Sequence, residues 1–240
     1  MITRKEKREA VEEIAKNARY EGPMTGFSMC AGCGICCKKN ACACIPEDFE
    51  DLSIEGIEKI LDGGKYMITA FYVHADMPGD IPIRAIPLIT AREEGCPKNG
   101  VNITMRHAKC AMLGEDGCML SEDERPAQGL LLVPIGEGCR CLLADPMGEW
   151  KEYWKVLDEV VQKRTGKTCQ TLFEEELVPL ATEIKRKVQI AVIHNKSITY
   201  QEYMIADAMS NLGVFYGLFG EELGDVMEDF VDWVDVIPVK

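Results

Sequence analysis

Residues 30–37 read Cys30-Ala31-Gly32-Cys33-Gly34-Ile35-Cys36-Cys37. Two residues between successive cysteines let a tight loop aim two thiolates at one metal, with backbone amides turned toward the sulfurs. Gly32 and Gly34 supply the backbone freedom that such wrapping needs. A C-x2-C-x2-C run is a recurring way of holding iron–sulfur clusters, and C-x2-C pairs equally supply half of a tetrahedral zinc site. The bacterial ferredoxin spacing would place a fourth cysteine at position 40, before proline, whereas Asn40 and Ala41 stand here. Cys37 instead adjoins Cys36, and Cys42 and Cys44 follow. Adjacent side chains diverge, so Cys36 and Cys37 need not serve one metal.

Working outward, the chain has 240 residues, 12 of them cysteine. Its opening residues contain no apolar core of the kind that directs secretion, so a cytoplasmic location, where thiols stay reduced, is the expectation. A disulfide scaffold is then disfavoured, and metal binding is the reading that accounts for a cluster of thiols. The net charge is −13. Such a chain is repelled by phosphate backbones and shows no basic stripe, so nucleic acid is not an expected partner. No apolar run is long enough to span a bilayer, so neither is a membrane.

A second cysteine group occupies residues 96–145. Cys110 and Cys118 flank Gly114-Glu115-Asp116-Gly117, a turn that predicts a β-hairpin and brings the two thiols close. Both are candidate ligands. Cys42, Cys44, Cys96, Cys139 and Cys141 are further candidates, each readable as a ligand or as a small core residue. Cys96-Pro97 leans toward a ligand, since cluster cysteines often precede proline. Cys169 stands apart near a helix start and reads as structural. His107, three residues before Cys110, suits zinc ligation or proton transfer, and equally a hydrogen-bonded surface position. His74 and His194 carry no motif.

The remaining pattern predicts an α+β fold: a cysteine-rich metal-binding module with short β-hairpins over residues 1–145, covered by N-terminal helices and by a helical region over 146–240. Residues 4–19 have helical spacing. Pro46 opens a short turn, and Ser53 caps a helix that Asp62-Gly63-Gly64 stops. Lys65–His74 and Ile81–Thr90 form a hairpin, with Pro82 and Pro87 arguing for edge strands. A further strand is expected over Leu130–Val133. From Trp150 an apolar stripe (Tyr153, Trp154, Leu157, Val160, Val161) marks a helix. Thr171 with Glu174, and Thr199 with Glu202, read as capping boxes. Pro179 starts or kinks a helix, and 221–236 form a last one.

Two blocks of this sequence resemble the CxxCxxCC family, described as a zinc- or iron-chelating domain. The first is the octet at 30–37. The second is Cys110-Ala-Met-Leu113-Gly-Glu-Asp-Gly-Cys118-Met-Leu120-Ser-Glu-Asp-Glu-Arg125-Pro126, close to the family's C-x2-L-x4-C-x-[IL]-x4-R-P-x2-C. The resemblance covers about residues 30–130. The family's cysteine after Arg-Pro falls on Gly129 here, which implies an open metal position or replacement by Cys139 or Cys141. The resemblance implies metal binding and a structural or anion-pairing role for Arg125. It implies no firm reaction, although the best-known relatives are flagellin lysine-N-methylases.

The thiolate-rich, histidine-poor set suits iron–sulfur or zinc. The number of cysteines exceeds what one zinc needs, which favours an iron–sulfur cluster, and the 4Fe-4S type is the expectation. A redox or cluster-dependent enzyme is therefore expected, with a redox partner protein or a small-molecule substrate. The alternatives are a non-catalytic zinc or iron module and, by family analogy alone, a protein N-methyltransferase.

Overall fold

The computed structural model describes residues 9, 12–13, 34–38, 41–74, 83–103, 108–121, 123–135, 138–141, 150–177, 179, 183 and 186–187. For 72–74, 83–84, 132–135, 138–141 and 177 it describes the backbone alone. Two compact units result. One comprises Met1–Thr69, Pro87–Asn102 and Ala108–Thr168, the other Ala70–Ile86, Ile103–His107 and Cys169–Lys240. Helices and small two-stranded sheets together make a mixed α+β chain. Among the described residues no helix is long and apolar enough to cross a membrane.

The first unit begins with a 3-10 turn, Cys36–Lys38, closed by the Lys38 N–H on the Gly34 carbonyl at 3.2 Å. Gly34 has φ +63°, and a Cβ there would lie 2.9 Å from Leu113 Cδ1. Only glycine meets both demands cheaply. The next segment runs extended. Ala43 bridges Thr90 antiparallel, the Cys44 N–H donates to Ile89 O at 2.8 Å, and the Ala91 N–H donates to Cys42 O at 3.0 Å. This strip lies along β2 (Ile83–Ala91), which pairs with β1 (Tyr66–His74) in a two-stranded sheet. Pro87 sits inside β2, tolerated because every strand of so small a sheet is an edge.

The turn Pro46–Asp48 has proline in its first position, where the missing N–H costs nothing. Helix α1 (Ile54–Asp62) is capped as its sequence predicts: Ser53 Oγ accepts from the Gly56 N–H at 3.1 Å. It buries Ile57 and Leu61 against α3 (Lys151–Thr165), whose Tyr153, Leu157, Val160 and Val161 are buried at the expected spacing. Arg164 fastens the pair, donating to Glu58 O at 3.0 Å, Asp62 Oδ1 at 2.7 Å and Asn99 O at 3.0 Å. The ring of Phe49 stacks on Tyr153 with centroids 6.3 Å apart.

The hairpin predicted around Gly114–Gly117 is present. β3 (Leu113–Gly114) pairs antiparallel with β4 (Gly117–Cys118). The strand expected over Leu130–Val133 begins later. Ala127–Leu130 form a short helix α2, and β5 (Leu132–Ile135) pairs antiparallel with β6 (Gly138–Cys141). Pro126 before α2 has the fixed φ of a helix entrance, which draws the following residues into a helical turn.

In the second unit, α4 (Cys169–Leu172) runs into a π-helical turn, Phe173–Leu177. Cys169, Leu172 and Phe173 are buried. Thr171 therefore lies inside a helical segment and does not cap one. Gln170 takes over as the local tie, accepting from the Ala85 N–H and donating to Glu174 Oε1, each at 2.9 Å. Pro179 is helical, as are Glu9, Glu12 and Glu13. The rest of the helix expected over 4–19, the Thr199 cap and the helix over 221–236 lie outside the described residues.

Asp48 is the buried hinge of the first unit. It is fully buried, and its Oδ2 accepts from the Ile45 and Ala127 N–H groups, each at 3.0 Å. It thereby supplies the acceptor that Pro126 cannot offer at the start of α2. Asp48→Ala strands two buried donors, so a loss of about 2–3 kcal/mol is expected. Asp48→Asn, which keeps one acceptor oxygen, should lose roughly half as much. Urea midpoints of the three reduced proteins at constant m-value check this, and coincident midpoints would remove Asp48 from that role.

Candidate metal centre

Two separate stretches of chain bring buried thiols together. The turn at 36–38 buries Cys37 and leaves Cys36 half-buried. The β3–β4 hairpin follows Cys110, whose N–H donates to Cys37 O at 2.7 Å. Cys37, Ala91, Cys110 and Leu120 form a buried cluster, with Ala41, Met112, Leu113 and Cys118 packed against it. Cys37 is the hub. Its sulfur is hydrogen-bonded to the thiols of Cys110 and Cys42.

These contacts set the charge of the group. The Cys110 S–H, then that of Cys42, and more weakly the buried Arg125 guanidinium hold Cys37 well below the ordinary thiol range, against the opposing effect of burial. Cys110 moves the other way: its proton is held in the bond to Cys37, and burial and the charges at Cys37 and Cys118 add to this. Cys37 is thus the more acidic partner of the pair, and Arg125 is a nearby cation. Arg125 is only 3% exposed, and a cation is so deeply buried only where anionic charge accompanies it.

The other candidates divide. Cys44 is fully buried beside Tyr66 and Tyr153 and raises the affinity of both hydroxyls for their protons, after burial itself. Cys96 is buried in its own turn, its thiol on Pro97 O at 3.5 Å and burial pushing its proton affinity up. Arg92 holds that turn through Cys96 O at 3.0 Å. Cys30, Cys33, His107 and His194 lie outside the described residues, as do the side chains of His74, Cys139 and Cys141.

The structure adds residues that motif reading passed over. Gln128 exchanges bonds with Ala43, its side-chain oxygen accepting from the Ala43 N–H while its own N–H donates to Ala43 O at 3.3 Å. This fixes the residue following Cys42. Glu93 accepts from the Ala41 N–H at 3.4 Å and pairs by its backbone with Cys110. No spacing rule marks either residue, because each acts through backbone brought near by folding.

Burial pushes the Glu93 carboxyl up to about 7, while the N–H groups of Ala41 and Ala108 oppose the rise. A carboxyl raised in the folded state contributes stability below its unfolded pKa, and loses that contribution as pH rises through the folded value. The window here is therefore about pH 4.5–7. Partial solvent screening reduces the effect to about 1–2 kcal/mol. Glu93→Gln should remove this fall, so its stability relative to wild type rises by that amount from pH 5 to 8 in metal-free, reduced protein. Parallel stability curves across that range would show that Glu93 does not titrate there.

In donor chemistry, soft sulfurs such as those of Cys37, Cys42 and Cys110 are of the kind that zinc and iron–sulfur clusters take once deprotonated. Among the described residues no group of three or more His, Cys, Asp and Glu side chains is gathered so as to hold a metal ion. Of the described sulfurs, those of Cys110 and Cys42 bear on Cys37. No family model, curated protein or solved structure matches this chain.

Proposed function

We propose that this protein holds a thiolate-ligated metal centre, an iron–sulfur cluster, in which Cys37 and Cys110 are joined by Cys30 and Cys33, and that it acts as a redox or cluster-dependent protein. The observation that carries this reading is the buried Cys37–Cys110 pair, drawn from two distant cysteine blocks and set beside a buried arginine. A dithiol needed only for packing gains nothing from anionic character. A ligand pair must be deprotonated to bind metal, and a nearby cation favours that state.

An iron–sulfur cluster, when bound, supplies reversible one-electron transfer. The chain's own residues do the rest. Cys37 and Cys110 present sulfur from a rigid turn and hairpin, locked by their shared backbone bond at 2.7 Å. Arg125 offsets thiolate charge in surroundings that exclude water. Ile35 and Met119, the exposed large apolar side chains among the described residues, adjoin Cys36 and Cys118. An electron-exchange partner therefore has apolar contact points next to the ligand segments.

Anaerobic purification followed by iron, acid-labile sulfide and zinc analysis tests the reading. Stoichiometric iron and sulfide, with visible absorption bleached by dithionite, is the expected result. Colourless protein with stoichiometric zinc would replace the redox role with a zinc-stabilised binding module.

A further inference from the structure

Cys37 and Cys110 are held together by backbone as well as by packing. The Cys110 N–H donates to Cys37 O at 2.7 Å, and both side chains belong to one buried cluster with Ala91 and Leu120. In an antiparallel ladder, residues so bonded keep their Cα atoms about 5.5 Å apart. A disulfide spans Cα separations of about 4.4–6.8 Å. The two sulfurs are already hydrogen-bonded to each other, so the side chains converge as that bond requires. Each backbone is fixed independently. The Lys38 N–H closes the Cys36–Lys38 turn on Gly34 O at 3.2 Å. Cys110 is clamped through both neighbours: the Ala111 N–H donates to Arg92 O at 2.7 Å, and Lys109 O accepts from the Glu94 N–H at 2.8 Å. Thiols so placed react at high effective concentration, because folding has already removed the entropy of bringing them together.

We propose that Cys37 and Cys110 are a dithiol that a peroxide converts to an intramolecular disulfide. This role goes beyond the metal-centre reading, since it needs two sulfurs and no metal. Cys37 is 8% exposed and Cys110 4%, so Cys37 is the more open sulfur and takes the first step. Its sulfur attacks one peroxide oxygen. An S–O bond forms, the O–O bond breaks, and the leaving hydroxide departs as water with the thiol proton, which leaves a sulfenic acid on Cys37. The Cys110 sulfur then attacks Cys37 Sγ. The S–S bond forms, the S–O bond breaks, and a second water carries away the Cys110 proton. Two thiols are oxidised and one peroxide is reduced to two waters. The closed form ties residue 37 to residue 110 and stabilises the fold by restricting the unfolded chain. Where the metal-centre reading holds, it also withdraws two thiolates from the metal.

The experiment uses the full chain, reduced and freed of metal with a chelator, with circular dichroism as the check on folding. It is treated with hydrogen peroxide near stoichiometry, its remaining thiols are alkylated, and the digest is mapped by mass spectrometry. The expected result is a reduction-sensitive link between Cys37 and Cys110, together with a higher urea midpoint. Cys36 and Cys118 share tryptic peptides with the pair, so Cys36→Ser and Cys118→Ser are compared, and each should form the link as wild type does. Cys37→Ser and Cys110→Ala should lose it. Should these buried substitutions unfold the chain, fragment ions from the wild type and the two exposed-side variants still place the link. A folded wild type that forms no such link, or joins Cys37 to Cys36 or Cys42 instead, would overturn the proposal. So would a link that survives in Cys37→Ser. Iron and zinc in the untreated chain are measured alongside. A chain purified without metal that forms the link leaves this inference standing while the metal-centre reading falls. A metal-loaded chain whose stripped form makes no link does the reverse.

Discussion

Replacing Cys37 by serine is expected to empty the centre: bound metal should fall to a small fraction of the wild-type content after a chelator challenge. The reason lies in the hub geometry. Cys37 is hydrogen-bonded to both Cys110 and Cys42, so its removal breaks both links at once. A hydroxyl is a poor ligand for soft metals and does not ionise in the physiological range. The fold should suffer as well, because metal binding free energy is folding free energy where the site is absent from the unfolded chain. The loaded wild type should therefore melt well above Cys37→Ser, while the two metal-free proteins should lie close together. Cys36→Ser is the informative companion, since Cys36 is half-buried where Cys37 is buried. It should retain more metal than Cys37→Ser. Equal loss in both would show that the adjacent thiols act as one unit.

Arg125→Gln is expected to cost about 3–5 kcal/mol, the range found when one partner of a buried charge pair is removed. Arg125 is 3% exposed, and its charge favours the Cys37 thiolate. Glutamine keeps hydrogen-bonding capacity but leaves the buried thiolate without its cation. Cys37 should then hold its proton more tightly, which a pH titration of its alkylation rate in metal-free protein would read as an upward shift. Arg125→Lys restores the charge without the planar donor fork, so it should recover the titration more fully than the stability. If Arg125→Gln left both the unfolding midpoint and the alkylation profile in place, the guanidinium would have no part in the site.

Some of the local elements were legible in the chain. The spacing of Cys30, Cys33, Cys36 and Cys37 raised the expectation of thiolate chemistry, and of these four the described residues include Cys36 and Cys37. The turn at Gly114–Gly117 places Cys118 back beside the Cys110 segment because loop geometry is local, and the structure contains that hairpin. Ser53 caps α1, and the stripe from Tyr153 to Val161 is buried, since periodicity and capping depend on near neighbours in sequence.

Other features were decided by tertiary structure. Leu130 reads as a strand residue, yet Pro126 and the Asp48 carboxylate turn Ala127–Leu130 into a helix. Thr171 has the spacing of a cap, yet it lies within a helical segment that begins at Cys169. The choice of Cys37 as hub, the burial of Arg125 and the approach of Gly129 to Cys42 involve residues tens of positions apart. Sequence by itself determined which residue types and turns were present, because those preferences act over a few bonds. Which sulfurs meet, and beside which charge, was decided only when β2, the hairpin and α2 closed around the strip at 41–45, because burial and long-range contact exist only in the folded chain.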